Sequence, residues 1–164
     1  MKVFGITGWK NTGKTGLMER LVTDFTGRGL TVSTVKHAHH TFDVDHEGRD
    51  SYRHRAAGAQ EVLLCSGNRW ALMHELRDES EPPLTELLAK LTPVDLVLIE
   101  GFKTESHAKL ECHRAETGKP LLARDDASIM AVASDVALDL DRPVLGLDDT
   151  KAVAAFILEK VGLS

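Results

Sequence analysis

The chain has 164 residues, of which 42% are hydrophobic and 27% are charged, and its net charge is −5. This composition is typical of a soluble globular protein, and the length predicts a single domain over residues 1–164. The negative charge argues against a nucleic-acid-binding protein, and no apolar run approaches the ~18 residues that a membrane-spanning helix needs.

The first predicted elements are a strand, a loop and a helix. The run KVFGIT, Lys2–Thr7, is short, apolar and β-rich, which predicts a buried strand. After the loop, apolar residues recur at helical spacing, namely Leu17, Met18, Leu21, Val22 and Phe25. Gly27 and Gly29 then predict the C-terminal end of this helix.

The loop between them, GWKNTGKT, has the spacing G-x-x-x-x-G-K-[ST] of a phosphate-binding loop. Its glycines let successive backbone N–H groups point at a phosphate, and the start of the helix adds partial positive charge. Lys14 is expected to reach the β- and γ-phosphates, and the Thr15 hydroxyl to bind Mg²⁺. The predicted nucleotide contacts in and after the loop are Gly8, Asn11, Thr12, Gly13, Lys14, Thr15 and Gly16. The alternative, a glycine-rich turn with a solvated lysine, is disfavoured by the fit of the flanking elements.

Strands and helices alternate along the rest of the chain. The predicted strands are residues 30–37, 61–66, 69–75, 94–101, 128–134 and 142–147, and the predicted helices are residues 49–59, 84–91 and 150–162. This alternation predicts a three-layer α/β P-loop NTPase fold with a mainly parallel sheet. Ligands of such sheets bind at the carboxyl ends of the strands, which makes the residues there informative.

Acidic residues follow two of the predicted strands. Glu100 ends the apolar strand DLVLIE, where a carboxylate can hold Mg²⁺ directly or through water. Asp43, Asp45, Glu47 and Asp50 follow the second strand, and any of them can supply a metal ligand or orient a water. The spacing does not decide among these loop acids, and each can equally be a solvated surface charge.

A histidine cluster, His37, His39 and His40, begins the same loop. Its spacing is not that of a zinc site, so contact with a substrate phosphate or a place on a polar pocket rim competes with plain surface exposure. Lys10, inside the phosphate-binding loop, can cross to the phosphates of a neighbouring subunit or stay solvated. The two cysteines form neither a disulfide framework nor a C-x-x-C pair, and the N-terminus lacks a signal-peptide layout, so we expect the reducing cytoplasm.

Three stretches, GWKNTGKTGL, TVKHAHHTFDVDHEGRDSYRHRAAGA and DLVLIEGFK, together resemble the MobB family of molybdopterin-guanine dinucleotide biosynthesis adaptor proteins. The resemblance covers nearly the whole chain in order, and the middle stretch is its most specific part. It implies a weakly hydrolysing, GTP-binding homodimer with Mg²⁺. Such a protein assists a separate MobA-like guanylyltransferase that joins GMP to molybdopterin, and molybdopterin itself is a further candidate ligand.

The family is similar in turn to dethiobiotin synthetase and to the GTPases that insert nickel. That likeness implies that Asp50 and Glu100 hold Mg²⁺, and it adds both to Lys14 as the residues expected to support catalysis. The lysine that crosses to the partner in this wider group directly follows the first loop glycine, where this chain has Trp9. No clear N-K-x-D guanine signature is present, so Asp135 is the candidate for the guanine base, with helix capping as its alternative.

Two classes of function remain open at this point. An adaptor for cofactor assembly is favoured, because the chain has phosphate and metal elements but no definable acceptor site. A small-molecule kinase or ligase of the dethiobiotin synthetase kind is the alternative. A metal-insertion GTPase is a third possibility, weakened by the lack of a cysteine–histidine metal motif.

Overall fold

The computed structural model describes residues 1–38 and 42–163. The strands are β1 Lys2–Thr7, β2 Val32–Lys36, β3 Glu61–Cys65, β4 Trp70–His74, β5 Leu96–Glu100, β6 Lys109–His113, β7 Ile129–Ser134 and β8 Val144–Gly146. The helices are α1 Lys14–Gly27, α2 Asp50–Ala56, α3 Leu84–Ala89 and α4 Thr150–Val161, with short 3-10 turns at Ala115–Thr117 and Leu122–Arg124. The chain divides into two compact units, Met1–His37 with Leu88–Ser164, and Ala38–Leu87. The single domain over residues 1–164 stays a prediction.

The first unit is built on a six-stranded sheet with the order β2-β5-β1-β6-β7-β8. Every neighbouring pair in this sheet is parallel. β1 lies between β5 and β6, so the loop that follows it opens at the centre of the carboxyl edge. The α/β fold with a mainly parallel sheet is confirmed.

Helices α1 and α4 pack on one face of this sheet and close the main hydrophobic core. The apolar face of α1 buries side chains one turn apart, which is the spacing that predicted this helix. In α4 the Phe156 ring meets Phe4 of β1 edge to face, with the ring centroids 6.5 Å apart. Of the helices in the described ranges, none is long and apolar enough to cross a membrane.

Strand β6, with the sequence KLECH, was not predicted, although all five of its residues are buried. Leu110 and Cys112 belong to the main core, and the alternating polar side chains lie on the other face of the sheet. There the Lys109 ammonium donates to the carbonyls of Lys103 (3.1 Å) and Glu105 and lies 3.5 Å from Asp126.

The Glu111 carboxylate of the same strand accepts the N–H groups of Leu122 and Ala123 at 3.0 and 2.8 Å. Burial raises the pKa of Glu111, and these two hydrogen bonds oppose the shift. Lys109 and Glu111 can be buried because the segments that cover them supply partners.

The second unit contains α2 and an antiparallel ribbon, β3–β4. Residues directly opposite each other share a face, so Leu63 pairs with Leu72 and Cys65 with Trp70. Leu63 is 63% exposed and Trp70 67% exposed. The predicted hairpin is confirmed, and one face of it presents apolar side chains to solvent.

Candidate nucleotide site

The loop between β1 and α1 has the backbone of a phosphate cradle. Gly8 and Gly13 have φ angles of 137° and 91°, and Asn11 between them has a φ of 66°. A methyl group on Gly8 would lie 2.5 Å from the Cys112 carbonyl oxygen of β6, so a side chain cannot fit there. The loop therefore needs glycine at this position both for its φ angle and for its close approach to β6.

A cavity of about 380 Å³ opens over this loop. It is lined by Asn11, Thr12, Gly13, Lys14, Thr15, Gly16 and Arg114. Six of these seven residues were predicted as nucleotide contacts, so the structure brings them together at one place. The cavity is lined by backbone amides and by the N-terminus of α1, which are suited to oxyanions.

Lys14, the first residue of α1, has its ammonium group in the loop. Its Nζ donates to the Trp9 carbonyl at 2.5 Å, and the Thr12 hydroxyl donates to the same oxygen at 2.9 Å. Burial lowers the pKa of Lys14, and the nearby charge of Lys103 acts in the same direction, while Glu100 opposes both. An anion in the cavity would be attracted by this partly desolvated lysine.

Glu100 ends β5 in register with Ile6 of β1. Its carboxylate is 3.5 Å from the Lys36 ammonium of β2, and its side chain is largely buried. Mg²⁺ in nucleotide sites keeps several waters and takes one or two protein oxygens besides the phosphates. The Thr15 hydroxyl and the Glu100 carboxylate are donors of this kind, whereas residues 1–38 and 42–163 hold no group of three or more metal-binding side chains.

The loop acids lie in the second unit and differ in their partners there. The Arg55 guanidinium binds Asp45 at 2.5 Å, Asp43 at 2.7 Å and Glu75 at 2.9 Å. The hydrogen bond from Arg55 is the main cause that holds the pKa of the Asp45 carboxyl below its usual value, and one from the Ser51 side chain acts in the same direction. Asp50 begins α2, is exposed and forms no ion pair or hydrogen bond through its side chain within the described ranges. Of the four loop acids, Asp43 and Asp45 are thus occupied by Arg55, whereas Asp50 and Glu47 have no such partner among the described residues.

The other candidates from the sequence have mixed outcomes. The His37 ring packs against Phe102 with the ring centroids 4.9 Å apart, and His39 and His40 lie outside the described residues. Asp135 Oδ1 accepts the backbone N–H of Ala115 at 3.0 Å, so the carboxylate caps the first 3-10 turn. Contact between Asp135 and a guanine base stays a prediction.

Two residues of this site were missed as contributors. Arg114 follows β6, the strand that the sequence did not reveal, and lines the cavity. The Trp9 indole donates to the Pro120 carbonyl at 2.8 Å and faces the Lys103 ammonium 4.4 Å from the ring centroid. The one available signal for Trp9 was its place inside the loop pattern.

The family model for "Molybdopterin guanine dinucleotide synthesis protein B", MobB, matches residues 3–135. The chain belongs to the MobB family. A molybdopterin-guanine dinucleotide biosynthesis adapter protein of Escherichia coli (strain K12) is 40% identical over 160 residues, which are 96% of this chain and 91% of that protein. One of Haemophilus influenzae is 40% identical over 94% of this chain and 86% of that protein.

The crystal structure of a MobB homologue from Bacillus stearothermophilus has the same fold, with a TM-score of 0.75 and 28% sequence identity over the full length of both chains. The MobB family resemblance inferred from the three sequence stretches is therefore confirmed. The MobB match includes the phosphate-binding loop, Asp50, Glu100 and β6.

Proposed function

We propose that this chain binds GTP with Mg²⁺ and acts as an adaptor for a MobA-like guanylyltransferase that joins GMP to molybdopterin. The observation that carries the proposal is the loop after the central strand β1, in which Gly8, Asn11 and Gly13 have positive φ angles, in a chain of the MobB family. The adapter names of the two bacterial relatives support the role in cofactor assembly.

The phosphates lie over Gly13 and the N-terminus of α1, where backbone N–H groups and Lys14 offset their charge. Thr15, Glu100 and Asp50 are the proposed ligands of Mg²⁺, directly or through water. The choice of Asp50 is supported by the occupation of Asp43 by Arg55. When bound, Mg²⁺ would neutralise charge on the terminal phosphates.

The metal proposal is tested by exchanging single carboxylates for amides. Glu100→Gln and Asp50→Asn should each weaken the Mg²⁺ dependence of GTP binding more than Asp43→Asn does. The Mg²⁺ dependence is measured by titrating the metal at fixed GTP. Greater sensitivity at Asp43 would contradict the proposed ligand set.

A homodimer is the proposed assembly, and the apolar face of the β3–β4 ribbon supports it. A face that presents Leu63 and Trp70 to water is unfavourable in a monomer. Within the described residues neither outer edge of the two-stranded ribbon pairs with another strand, so a second copy can pair there. Leu63→Lys should shift the molar mass measured by light scattering towards the monomer. Val136→Lys, at another exposed apolar residue, is the matched control.

The adaptor role predicts slow hydrolysis, below the roughly 1–100 s⁻¹ of kinases. The first decisive assay measures molybdopterin guanylylation by the transferase with and without this protein and GTP. The second measures competition between GTP and ATP for binding to this protein. We expect a rise in guanylylation and a preference for GTP. Fast turnover of a small substrate, ATP preference and no effect on the transferase would instead indicate a kinase or ligase.

The proposed compartment is the cytoplasm. Both cysteines are free thiols, Cys65 exposed and Cys112 buried. Burial raises the pKa of the Cys112 thiol to about 12, which makes it an inert core residue.

A further inference from the structure

Arg114 brings a second cation to the phosphate-binding loop, from the strand next to β1. It is the first residue after β6 and is partly buried against the loop. A methyl group built on Gly13, the N-cap of α1, would lie 3.3 Å from Arg114 Nε and 3.5 Å from its Nη2. The guanidinium therefore lies at the wall of the cavity, beside the residue that starts the helix.

The Arg114 guanidinium makes neither a hydrogen bond nor an ion pair with any residue in the ranges 1–38 and 42–163. Arg20, nearly two turns into α1, has its Nη1 3.6 Å from a methyl group built on Gly16, one of the residues that line the cavity. Arg20 is already engaged, because it donates to the Thr150 hydroxyl at 2.8 Å and to the Leu147 carbonyl at 2.9 Å. Of these two arginines, Arg114 has its donors available for a ligand.

The backbone around Arg114 is held in place although its side chain is not paired. Its carbonyl accepts the Thr117 backbone N–H at 3.1 Å and the Thr117 hydroxyl at 2.8 Å. The next amide, Ala115 N–H, is bound by Asp135. These bonds fix the point from which the side chain enters the cavity, which limits the entropy lost when a ligand binds.

The sheet order places Arg114 and Glu100 on opposite flanks of the loop. Glu100 ends β5 on one side of β1, and Arg114 follows β6 on the other side. Lys14 is influenced from both flanks, because Cys112 of β6 and Glu100 of β5 both act on its charge. The proposed metal ligand Glu100 lies on the β5 flank, whereas Arg114 lies beside Gly13, so Arg114 is assigned to the phosphates closer to the α1 N-terminus.

We propose that the Arg114 guanidinium binds non-bridging oxygens of the phosphate groups that nucleoside diphosphates and triphosphates share. The planar fork of its N–H donors matches two phosphate oxygens at once, which the point charge of a lysine does not. The assignment rests on the proposed nucleotide-binding function and adds the residue that grips the phosphate chain from the β6 side. Because the contact is made to both kinds of nucleotide, it supports retention of the product GDP as well as binding of GTP.

The test compares Arg114→Ala and Arg114→Lys with the wild-type protein by calorimetric titration of GTP, GDP, ADP and inorganic pyrophosphate. Arg69→Ala, at the exposed tip of the β3–β4 ribbon, is the control for loss of one positive charge. We expect Arg114→Ala to weaken GTP and GDP alike by about ten-fold or more, since hydrogen bonds to charged groups are of that strength. Arg114→Lys should restore part of the loss, and Arg69→Ala should bind like the wild type. Melting curves of all variants verify that they are folded.

Unchanged affinities in a folded Arg114→Ala protein would overturn this inference and leave the proposed function standing. A loss confined to GTP would also overturn it, because Arg114 would then contact the terminal phosphate. The wild-type protein could also bind GDP and ADP equally well while Arg114→Ala weakens the binding of GDP, ADP and pyrophosphate. That result would overturn the guanine preference and support this inference. A wild-type protein that bound none of the four would overturn both.

Discussion

Replacing Lys14 with alanine should weaken GTP binding while leaving the protein folded. A charge-assisted hydrogen bond is worth about 1.5–3 kcal/mol. Lys14 must first give up its bond to the Trp9 carbonyl, and a neutral-acceptor bond of this kind has a net worth of about 0.5–1.5 kcal/mol. Subtracting the low value from the low value and the high from the high leaves about 1–1.5 kcal/mol, which corresponds to a roughly five- to thirteen-fold loss of affinity.

The fold should survive because the Trp9 carbonyl keeps its second donor, the Thr12 hydroxyl at 2.9 Å. Calorimetric titration with GTP and Mg²⁺ measures the affinity, and thermal melting reports on folding. Lys151→Ala is the control, since Lys151 is an exposed lysine of α4 outside the loop. If Lys14→Ala bound GTP as the wild type does, or lost no more than Lys151→Ala, the reasoning about this loop would be refuted.

Three further predictions concern stability and pH. Gly5→Ala should lower the free energy of unfolding, measured with urea, by about 1–3 kcal/mol, because the new methyl group would lie 2.8 Å from His107 Cδ2. The control Gly27→Ala places its methyl group in open space on a helix, so it should be neutral or stabilise by up to about 1 kcal/mol. Burial lowers the pKa of His107 in the folded protein, so as the pH falls the unfolded chain binds a proton at this histidine before the folded protein does. The free energy of unfolding should therefore fall as the pH drops below about 6.5, and His107→Phe should flatten that part of a stability–pH curve. The lowered pKa of Lys14 predicts that GTP affinity falls as the pH rises through it, because the neutral amine no longer attracts phosphate, and Lys14→Ala should lack that decline.

The elements around the phosphate-binding loop were predictable because each is regular by itself. β1 is a short apolar run, and α1 repeats its apolar residues at helical spacing with glycine at its end. β5, with four fully buried apolar residues and then Glu100, also has the pattern of a central parallel strand. Local residue types were sufficient to predict these three elements and their order along the chain.

β6 could not be predicted because its burial depends on partners distant in the chain. Lys109 and Glu111 are fully buried, and the sequence KLECH does not show that carbonyl and N–H groups from other segments form hydrogen bonds with their charged groups. Because the sequence does not reveal the strand, it does not point to Arg114 at the end of that strand either. The acids of residues 43–50 were undecidable for the same reason, because their pairing with Arg55 is a tertiary contact.

Trp9 and Trp70 are the two tryptophans of the chain, and they lie in different units. The indole of Trp9 is held in the phosphate-binding loop by Pro120, and that of Trp70 lies exposed on the ribbon. The intrinsic fluorescence of this protein therefore has one contribution from each unit. With Trp70→Phe, emission reports occupancy of the loop, and with Trp9→Phe, a blue shift reports burial of the ribbon face. Each single-tryptophan variant would thus report one of the two proposed events, ligand binding or self-association, without a dye.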